Sequence, residues 1–169
     1  MNKKKFPVVI QSELFECGLA CIAAIAESKN LATSLEKLRN KFEITSSGLT
    51  LLHLINISAS VGLISRAVRL DLTEIDQLKL PSILTWNHQH FVVLVSIRGN
   101  TVQIMDPAVG MQFFQKSELS SYFSGTALEV IGTQANSVKK ADAVESNVKT
   151  KIDSEFEFSF PVFLKTFTK

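Results

Sequence analysis

The chain has 169 residues, 46% of them hydrophobic and 20% charged, which is typical of one folded domain rather than a disordered chain or a disulfide-stapled mini-protein. Its 18 basic and 16 acidic residues are mixed along the sequence, apart from a lysine run at the start, whereas nucleic-acid binding needs a concentrated basic face. No apolar run approaches the roughly 18 residues of a membrane span or has the form of a signal peptide. We therefore expect a cytosolic domain that does not bind nucleic acid.

The first elements predicted along the chain are three helices. Residues 17–28 are rich in Ala, Leu and Ile, with apolar residues on almost every side, which predicts a buried central helix. An amphipathic stripe after the N-cap candidates Thr33 and Ser34 predicts the second helix. The third begins after Gly48 and ends at Gly62, a typical C-cap residue.

Alternating and β-branched segments follow these helices. They predict strands over residues 64–70, 82–86, 91–97, 102–106 and 126–131, with a turn after residue 106 and a short helix over 117–123. Helices that precede strands favour an α+β fold with an antiparallel sheet over alternating βαβ units.

The composition changes after Gly132, which predicts three parts of the chain. Residues 1–133 form the folded domain, and residues 134–153 are polar and aperiodic, as in a flexible linker. The tail, residues 154–169, carries five of the twelve phenylalanines with lysines among them. This pattern favours an amphipathic segment that leads to a membrane region beyond this chain, rather than a final strand packed on the domain.

Two cysteines lie four residues apart, one helical turn, where a disulfide is poorly placed, so free thiols are expected. Cys17 is at the start of its helix, where unpaired N–H groups and the helix dipole favour thiolate over thiol. The alternative is a buried cysteine that packs as a small hydrophobe, which is the interpretation we give Cys21. A metal site from Cys17, Cys21, His88 and His90 is disfavoured because Cys-x3-Cys is not a usual zinc spacing.

His90 directly precedes an apolar strand, where its imidazole is a candidate general base at neutral pH. His88 is assigned to an exposed turn, and His53 in the third helix to a surface or half-buried position.

The distance between His90 and Asp106 depends on a hairpin loop. A three-residue loop over 98–100 pairs Ile97 with Thr101, places Asp106 opposite Val92, and makes it a diagonal neighbour of His90 at roughly 7–8 Å. A two-residue loop over 99–100 shifts the register by one and separates them onto opposite faces. An aspartate before proline is also a common turn former.

Together these residues fit a nucleophile, a base and an orienting carboxylate, in the chain order Cys17, His90, Asp106. Gln11, six residues before the cysteine, is positioned to supply an amide donor to an oxyanion beside the Cys17 backbone N–H.

Six separated blocks, in order, carry a resemblance to a known family over about residues 6–131. They are Gln11 with Glu16–Cys21, Ser47–Gly48, Val61–Leu63 with Arg66–Ala67, Pro81–Leu84, His90–Leu94 and Asp106–Ala108. Together they resemble the C39 peptidase domain, the papain-like domain at the N-terminus of bacteriocin-processing ABC exporters, most of all the colicin V type.

The resemblance implies a papain-like fold, with N-terminal helices packed on the antiparallel sheet, and a role for each candidate residue. It implies that Cys17 is the nucleophile, His90 the base, Asp106 its orienter and Gln11 the oxyanion-hole residue. Glu16 stands where the family often has Asp, a conservative departure. Non-cutting relatives in hemolysin-type exporters lack the cysteine, which this chain keeps.

The resemblance further implies a substrate and a setting. The substrate is a precursor peptide whose amphipathic leader ends in Gly-Gly, cut after the second glycine at the cytoplasmic face of the bacterial inner membrane. Transmembrane and nucleotide-binding parts of an ABC exporter are the implied partners; ATP would bind that separate part, and the peptidase needs no cofactor or metal. Two alternatives stay open: a module that docks the leader without cutting it, and an acyltransferase with the same residues.

Overall fold

The computed structural model of the protein describes residues 5–44 and 48–134. The predicted tail and all of the predicted linker except Gln134 lie outside these residues. The helices are α1 (Cys17–Ser28), α2 (Leu35–Lys41) and α3 (Leu51–Ser60); the strands are β1 (Leu63–Arg69), β2 (Ser82–Trp86), β3 (His90–Arg98), β4 (Thr101–Asp106), β5 (Gly110–Gln115) and β6 (Phe123–Thr133). Short 3-10 helices cover Leu72–Gln77 and Lys116–Ser121. No helix among the described residues combines the length and apolarity that a bilayer span requires.

The six strands form one sheet in the order β1-β6-β2-β3-β4-β5, with every neighbouring pair antiparallel. One face packs beneath α1 through Ile83, Phe91, Val93, Met105 and Leu128. The opposite face, which includes Leu84, Val92, Leu94 and Ile104, is covered by Ile75, Leu78 and Leu119 of the 3-10 segments. The predicted α+β class with helices on an antiparallel sheet is confirmed.

Helix α1 is the centre of the core, as its composition predicts. Every residue of it from Cys17 to Ala26 is buried. Gly18 lets α3 approach closely, since a Cβ added there would lie 2.6 Å from Leu54 Cδ2 and 3.3 Å from Leu49 Cδ1. The lack of a side chain at Gly18 therefore fixes how α3 packs beside the first turn of α1.

The ends of the other helices follow the capping rules. Ser34 Oγ accepts the Lys37 N–H at 3.3 Å, which confirms one of the two predicted N-caps. Helix α3 begins later than predicted, since Thr50 is its N-cap, and Gly62 follows its end with φ of +82°.

The hairpin between β3 and β4 has the shorter of the two loops considered from the sequence. Arg98 pairs with Thr101, so the loop has two residues, and Gly99 takes its first position with φ of +58°, which glycine adopts without strain. A β-bulge then leaves Val95 unpaired between the Leu94–Ile104 and Ser96–Gln103 pairs. The two-residue loop shifts the pairing by one residue, and the bulge shifts it back. Val93 therefore pairs with Met105, and Asp106 lies opposite Val92 at the next position.

Strand β5 was not predicted, because sequence analysis placed no strand between the turn after Asp106 and the short helix expected over residues 117–123. The turn is short, with the Val109 N–H donating to the Asp106 carbonyl at 3.2 Å, and the chain returns at once along β4. As an edge strand, β5 is half exposed and lacks a clear apolar alternation.

Candidate active site

The site begins at one end of the sheet, where antiparallel β3 starts and β4 finishes. His90 is the first residue of β3 and Asp106 the last of β4. His90 Nε2 lies 2.7 Å from Asp106 Oδ1, so the expected imidazole–carboxylate hydrogen bond is present. The same oxygen accepts the Ala108 N–H at 2.8 Å. Asp106 thus bonds both to its own turn and to the imidazole, and its role as the orienter of His90 stays a prediction.

The two groups change each other's proton affinity. Burial acts to lower the pKa of His90, but the hydrogen bonds to Asp106 and Cys17 and the negative charges of both raise that pKa to about 9. Burial acts to raise the pKa of Asp106, while the hydrogen bonds from His90 and from the Ala108 N–H hold it below its ordinary value. Imidazolium beside carboxylate is therefore the favoured state near neutral pH.

Cys17 approaches the imidazole from the helical side. It is the first residue of α1 and is buried. A hydrogen bond with Cys17 is one of the causes that raise the pKa of His90. Because Nε2 of His90 is engaged by Asp106, Nδ1 is the ring nitrogen left for the thiol. The structure thus brings a thiol, an imidazole and a carboxylate together at one end of the sheet, the groups that a cysteine peptidase centre needs.

Gln11 lies beside these residues. Its backbone N–H donates to the Pro107 carbonyl at 2.9 Å, which ties it to the turn that carries Asp106. Its side-chain Nε2 donates to the carbonyls of Glu13 at 3.2 Å and Leu14 at 3.4 Å. Its Oε1 is buried without a hydrogen-bond partner among the described residues. The amide is held at the site but is bonded to its own loop, so its oxyanion-hole role stays a prediction.

The remaining candidates are structural. Cys21 is fully buried, its Sγ donates to the Phe91 carbonyl at 3.4 Å, and burial raises the pKa of its thiol well above the ordinary value. His88 lies in the exposed turn with φ of +63°, as expected, and His53 is exposed, with Nδ1 accepting the Thr50 N–H at 3.2 Å. Across residues 5–44 and 48–134, no three His, Cys, Asp or Glu side chains gather as metal ligands.

Sequence analysis missed an ion pair next to the nucleophile. The Glu16 carboxylate is buried and receives hydrogen bonds from Arg39 of α2, from Nε to Oε1 and from Nη2 to Oε2. We had weighed Glu16 only as a family variant of Asp. A signal was available, because a carboxylate placed against a buried helix needs a partner, but nothing in the sequence pointed to Arg39.

An apolar groove lies next to the start of α1. It is lined by residues 13–16, Arg39 and residues 42–44, and has a volume of about 630 Å³. Leu14 in it is 81% exposed and Phe15 is 41% exposed, which is high for such large apolar side chains. A second cavity of about 230 Å³ shares Phe42 and Glu43 and continues along α3. The groove leads directly to the residue before Cys17.

The comparisons with known proteins agree with this geometry. The sequence model of the peptidase C39 family matches residues 5–135. The colicin V secretion/processing ATP-binding protein of Escherichia coli is 42% identical over 128 residues, which cover 76% of this chain and 18% of that protein. This chain therefore spans about a fifth of the length of this relative and of a similar microcin-H47 secretion/processing protein of Escherichia coli.

Solved structures show the same fold. A double glycine motif protease from an AMS/PCAT transporter, crystallised in complex with a leader peptide, is 29% identical, with a TM-score of 0.72 over 76% of this chain and 93% of that one. The peptidase domain of Streptococcus ComA, a bi-functional ABC transporter, is 25% identical, with a TM-score of 0.67 over 73% of this chain and 96% of that one. The expected papain-like arrangement is confirmed by these likenesses.

Proposed function

Because the chain belongs to the peptidase C39 family and is a cysteine peptidase, we propose that it cleaves precursor peptides after a Gly-Gly pair, with Cys17 as nucleophile. One observation carries this proposal: His90 Nε2 is held 2.7 Å from Asp106 Oδ1, and Cys17 is near enough to the same imidazole to help raise its pKa. A positioned base between a carboxylate and a nucleophile is the arrangement that acyl transfer requires.

The proposed reaction has two halves. The Cys17 thiolate adds to the glycine carbonyl carbon and forms a C–S bond, while the carbonyl electron pair moves onto oxygen. The oxyanion collapses, the C–N bond breaks, and His90 gives its proton to the leaving amine, which leaves a thioester. Water then gives a proton to His90 while its oxygen attacks the thioester carbon, and the C–S bond breaks with its electron pair on sulfur. This step releases the leader as a carboxylic acid and returns the Cys17 thiolate. These steps use side chains of the chain alone, with no cofactor.

The Cys17 N–H and the Gln11 amide are proposed to stabilise the oxyanion. For this role Gln11 Nε2 must release one of its bonds to the loop carbonyls. Both bonds are long, at 3.2 and 3.4 Å, so exchanging one for a negatively charged oxygen is favourable.

We assign the apolar groove to the leader. The groove lining includes Glu16, directly before the proposed nucleophile, so a peptide bound there can place its C-terminal end at Cys17. Its exposed Leu14 and Phe15 suit the apolar face of an amphipathic helix, and Arg39 and Glu43 give it charges of both signs. Two glycines at the cut let the peptide backbone approach the buried sulfur without Cβ atoms. A leader peptide is bound in the related double glycine motif protease.

We place the domain in an ABC exporter, at the cytoplasmic face of the bacterial inner membrane. The support is the colicin V relative, named a secretion/processing ATP-binding protein, of which this chain matches about a fifth. The proposed partners are therefore the transmembrane and nucleotide-binding parts of such an exporter, together with the precursor peptide.

The test of the reaction is a leader-plus-cargo peptide with Gly-Gly at the end of the leader, analysed by mass spectrometry. Wild-type protein is expected to cut after the second glycine, and Cys17→Ala to leave the peptide intact. Cys21→Ala is the matched control, since its thiol is buried, and it should cut like wild type. Leader binding without cutting by wild type contradicts the peptidase and supports the docking alternative.

The groove is tested separately through KM. Leu14→Asp adds a charge to the apolar surface and is expected to raise KM about tenfold with kcat nearly unchanged, since uniform binding is lost. Ile131→Asp is the control, because Ile131 is an exposed apolar residue on β6 outside the groove. An equal rise in KM for both variants contradicts the assignment.

A further inference from the structure

The carboxylate of Glu16 is placed unusually for a residue at the start of a helix. Glu16 is the N-cap of α1, yet its side chain makes no hydrogen bond to the first turn of that helix. It turns back instead, and Oε2 accepts the N–H groups of Ser12 at 3.1 Å and Glu13 at 3.0 Å. Its side chain is only 1% exposed. The carboxylate therefore shapes the segment before the helix, which we call the 11–16 loop.

Arg39 completes this contact from a different element. Its guanidinium donates from Nε and Nη2 to the two oxygens of Glu16, a bidentate pair, and Nη2 also donates to Ser12 Oγ at 2.7 Å. One guanidinium thus joins both ends of the Ser12–Glu16 turn. The hydrogen bond from Arg39 outweighs burial and lowers the pKa of Glu16, so the carboxylate stays ionised.

The same loop holds the side chain of Gln11. Glu13 is the connecting residue, because its N–H donates to Glu16 while its carbonyl accepts from Gln11 Nε2. A line of hydrogen bonds therefore runs from Arg39 through Glu16 and Glu13 to the Gln11 amide. By contrast, none of these residues is among the hydrogen-bond partners or charges that shift the pKa of His90 or Asp106.

We propose that Glu16 and Arg39 are a positioning pair that sets the Gln11 amide for oxyanion stabilisation and does not act on the Cys17–His90 pair. This inference rests on the proposed function. It predicts that loss of the pair slows peptide cleavage while the reactivity of the thiol persists. An ion pair that only joins α2 to α1 would affect stability alone.

The first test compares kcat, KM and the alkylation rate of Cys17 in Arg39→Met. We expect kcat to fall about tenfold, toward the loss from removing one oxyanion donor, with iodoacetamide labelling within about twofold of wild type. KM is read separately, because Arg39 also lines the groove assigned to the leader. Arg39→Lys should recover only part of kcat, because an ammonium lacks the guanidinium fork. Glu16→Gln with Arg39→Met removes both charges, so a folded variant is available if an uncompensated buried carboxylate prevents folding.

A double-mutant cycle identifies the route of the effect. If the pair acts through Gln11, Gln11→Ala should lower kcat far less in the Arg39→Met background than in wild type. Equal factors in the two backgrounds contradict the proposal. Lost cleavage together with equally lost alkylation also contradicts it, because the effect would then lie on the thiol.

The matched control is the ion pair of Arg66 and Glu129, at the other side of the sheet. Arg66 Nε lies 2.6 Å from Glu129 Oε2, and Glu129 Oε1 also accepts a backbone N–H, from Lys79 at 2.9 Å. The side chains are 43% and 3% exposed, against 39% and 1% for Arg39 and Glu16. Arg66→Met should reduce stability as much as Arg39→Met but leave kcat unchanged; an equal fall in kcat contradicts the proposal.

A second measurement separates this inference from the cleavage reaction. A leader peptide ending in a Gly-Gly aldehyde is attacked by the Cys17 thiolate, which forms a C–S bond while the oxygen receives the proton held by His90. We expect Arg39→Met to bind this aldehyde about tenfold more weakly, measured relative to the same peptide ending in an alcohol, so that the loss of Arg39 from the groove cancels. Wild type that binds the aldehyde without cleaving the precursor contradicts only the proposed function. Equal affinity in the variant contradicts the positioning pair, and no adduct with wild type contradicts both.

Discussion

The imidazole of His90 and the carboxylate of Asp106 meet across β3 and β4, with Nε2 2.7 Å from Oδ1. Asp106 is held in turn by the Ala108 N–H on the same oxygen, at 2.8 Å. The carboxylate therefore cannot turn away from the imidazole without breaking its own turn. This arrangement fixes which ring nitrogen faces the thiol and explains why His90 holds its proton into the alkaline range.

The pH dependence of cleavage should show this raised proton affinity. Because the pKa of His90 is about 9, the imidazolium that protonates the leaving amine is lost as the pH rises through that value. Initial rates measured from pH 5 to 10 should therefore fall on the alkaline side near pH 9.

Asp106→Asn removes the carboxylate and should move this alkaline limb to lower pH as well as slow the reaction, by up to about 10⁴-fold if Asp106 also fixes the tautomer. An alkaline limb that stays in place in Asp106→Asn means that a group other than His90 titrates.

The raised pKa of His90 also makes the stability of the fold depend on pH. The folded pKa of His90 lies above its unfolded value, so its contribution to the free energy of unfolding is complete below about pH 6.5 and is lost as the pH rises through about 9.

Gln11→Ala should separate the oxyanion hole from the nucleophile. Loss of one oxyanion donor lowers kcat about 10²–10³-fold, while the alkylation rate of Cys17 should stay within about twofold, because Gln11 does not contact His90 or Asp106 through any hydrogen bond of its side chain. Gln11→Glu keeps the size but replaces the donor with a carboxylate and should be at least as slow. Unchanged kcat in both variants removes Gln11 from the mechanism.

The strand pairing that brings His90 to Asp106 could be predicted only in part from the sequence. The alternation of apolar and polar residues predicts where the strands begin and end, and the turn residues at 99–100 predict that the two strands pair antiparallel. The sequence also identifies His90 and Asp106 as candidate base and carboxylate. The register did not follow, because it depends on a bulge at Val95 that compensates the two-residue loop. A bulge is chosen by packing on both faces of the sheet, so no local pattern around Val95 marks it.

The hydrogen bonds of the 11–16 loop could not be predicted from the sequence. Glu16 and Arg39 are 23 residues apart and meet only because α2 packs beside the start of α1. Local composition assigned Arg39 to an amphipathic helix and could not indicate its partner. Cys17 and Cys21 were easier to place, since their positions at the start and in the interior of a helix follow from the local sequence pattern.

Gly18→Ala tests the close packing that supports the nucleophile. The methyl group would lie 2.6 Å from Leu54 Cδ2, and overpacking costs about 1–3 kcal/mol, against a helix-propensity gain of about 1 kcal/mol. We expect the free energy of unfolding to fall by about 1 kcal/mol, measured by urea denaturation.

Leu54→Ala provides the paired control for Gly18→Ala. Alone it leaves a cavity and should cost about 2–5 kcal/mol. The double variant should lose less free energy of unfolding than the sum of the two single variants, because the space left by Leu54→Ala accommodates the methyl group added at residue 18. Strict additivity would mean that Gly18 does not limit the approach of α3.

The most direct test of the central claim is the alkylation rate of each cysteine near pH 7, read by mass spectrometry. An imidazole held by Asp106 should make Cys17 react with iodoacetamide at least about tenfold faster than a model thiol, and His90→Ala should remove this advantage. Buried Cys21 is the internal reference and should remain unlabelled in the folded protein. A Cys17 that reacts no faster than the model thiol, or that keeps its rate in His90→Ala, would contradict the assignment of this site as a cysteine peptidase centre.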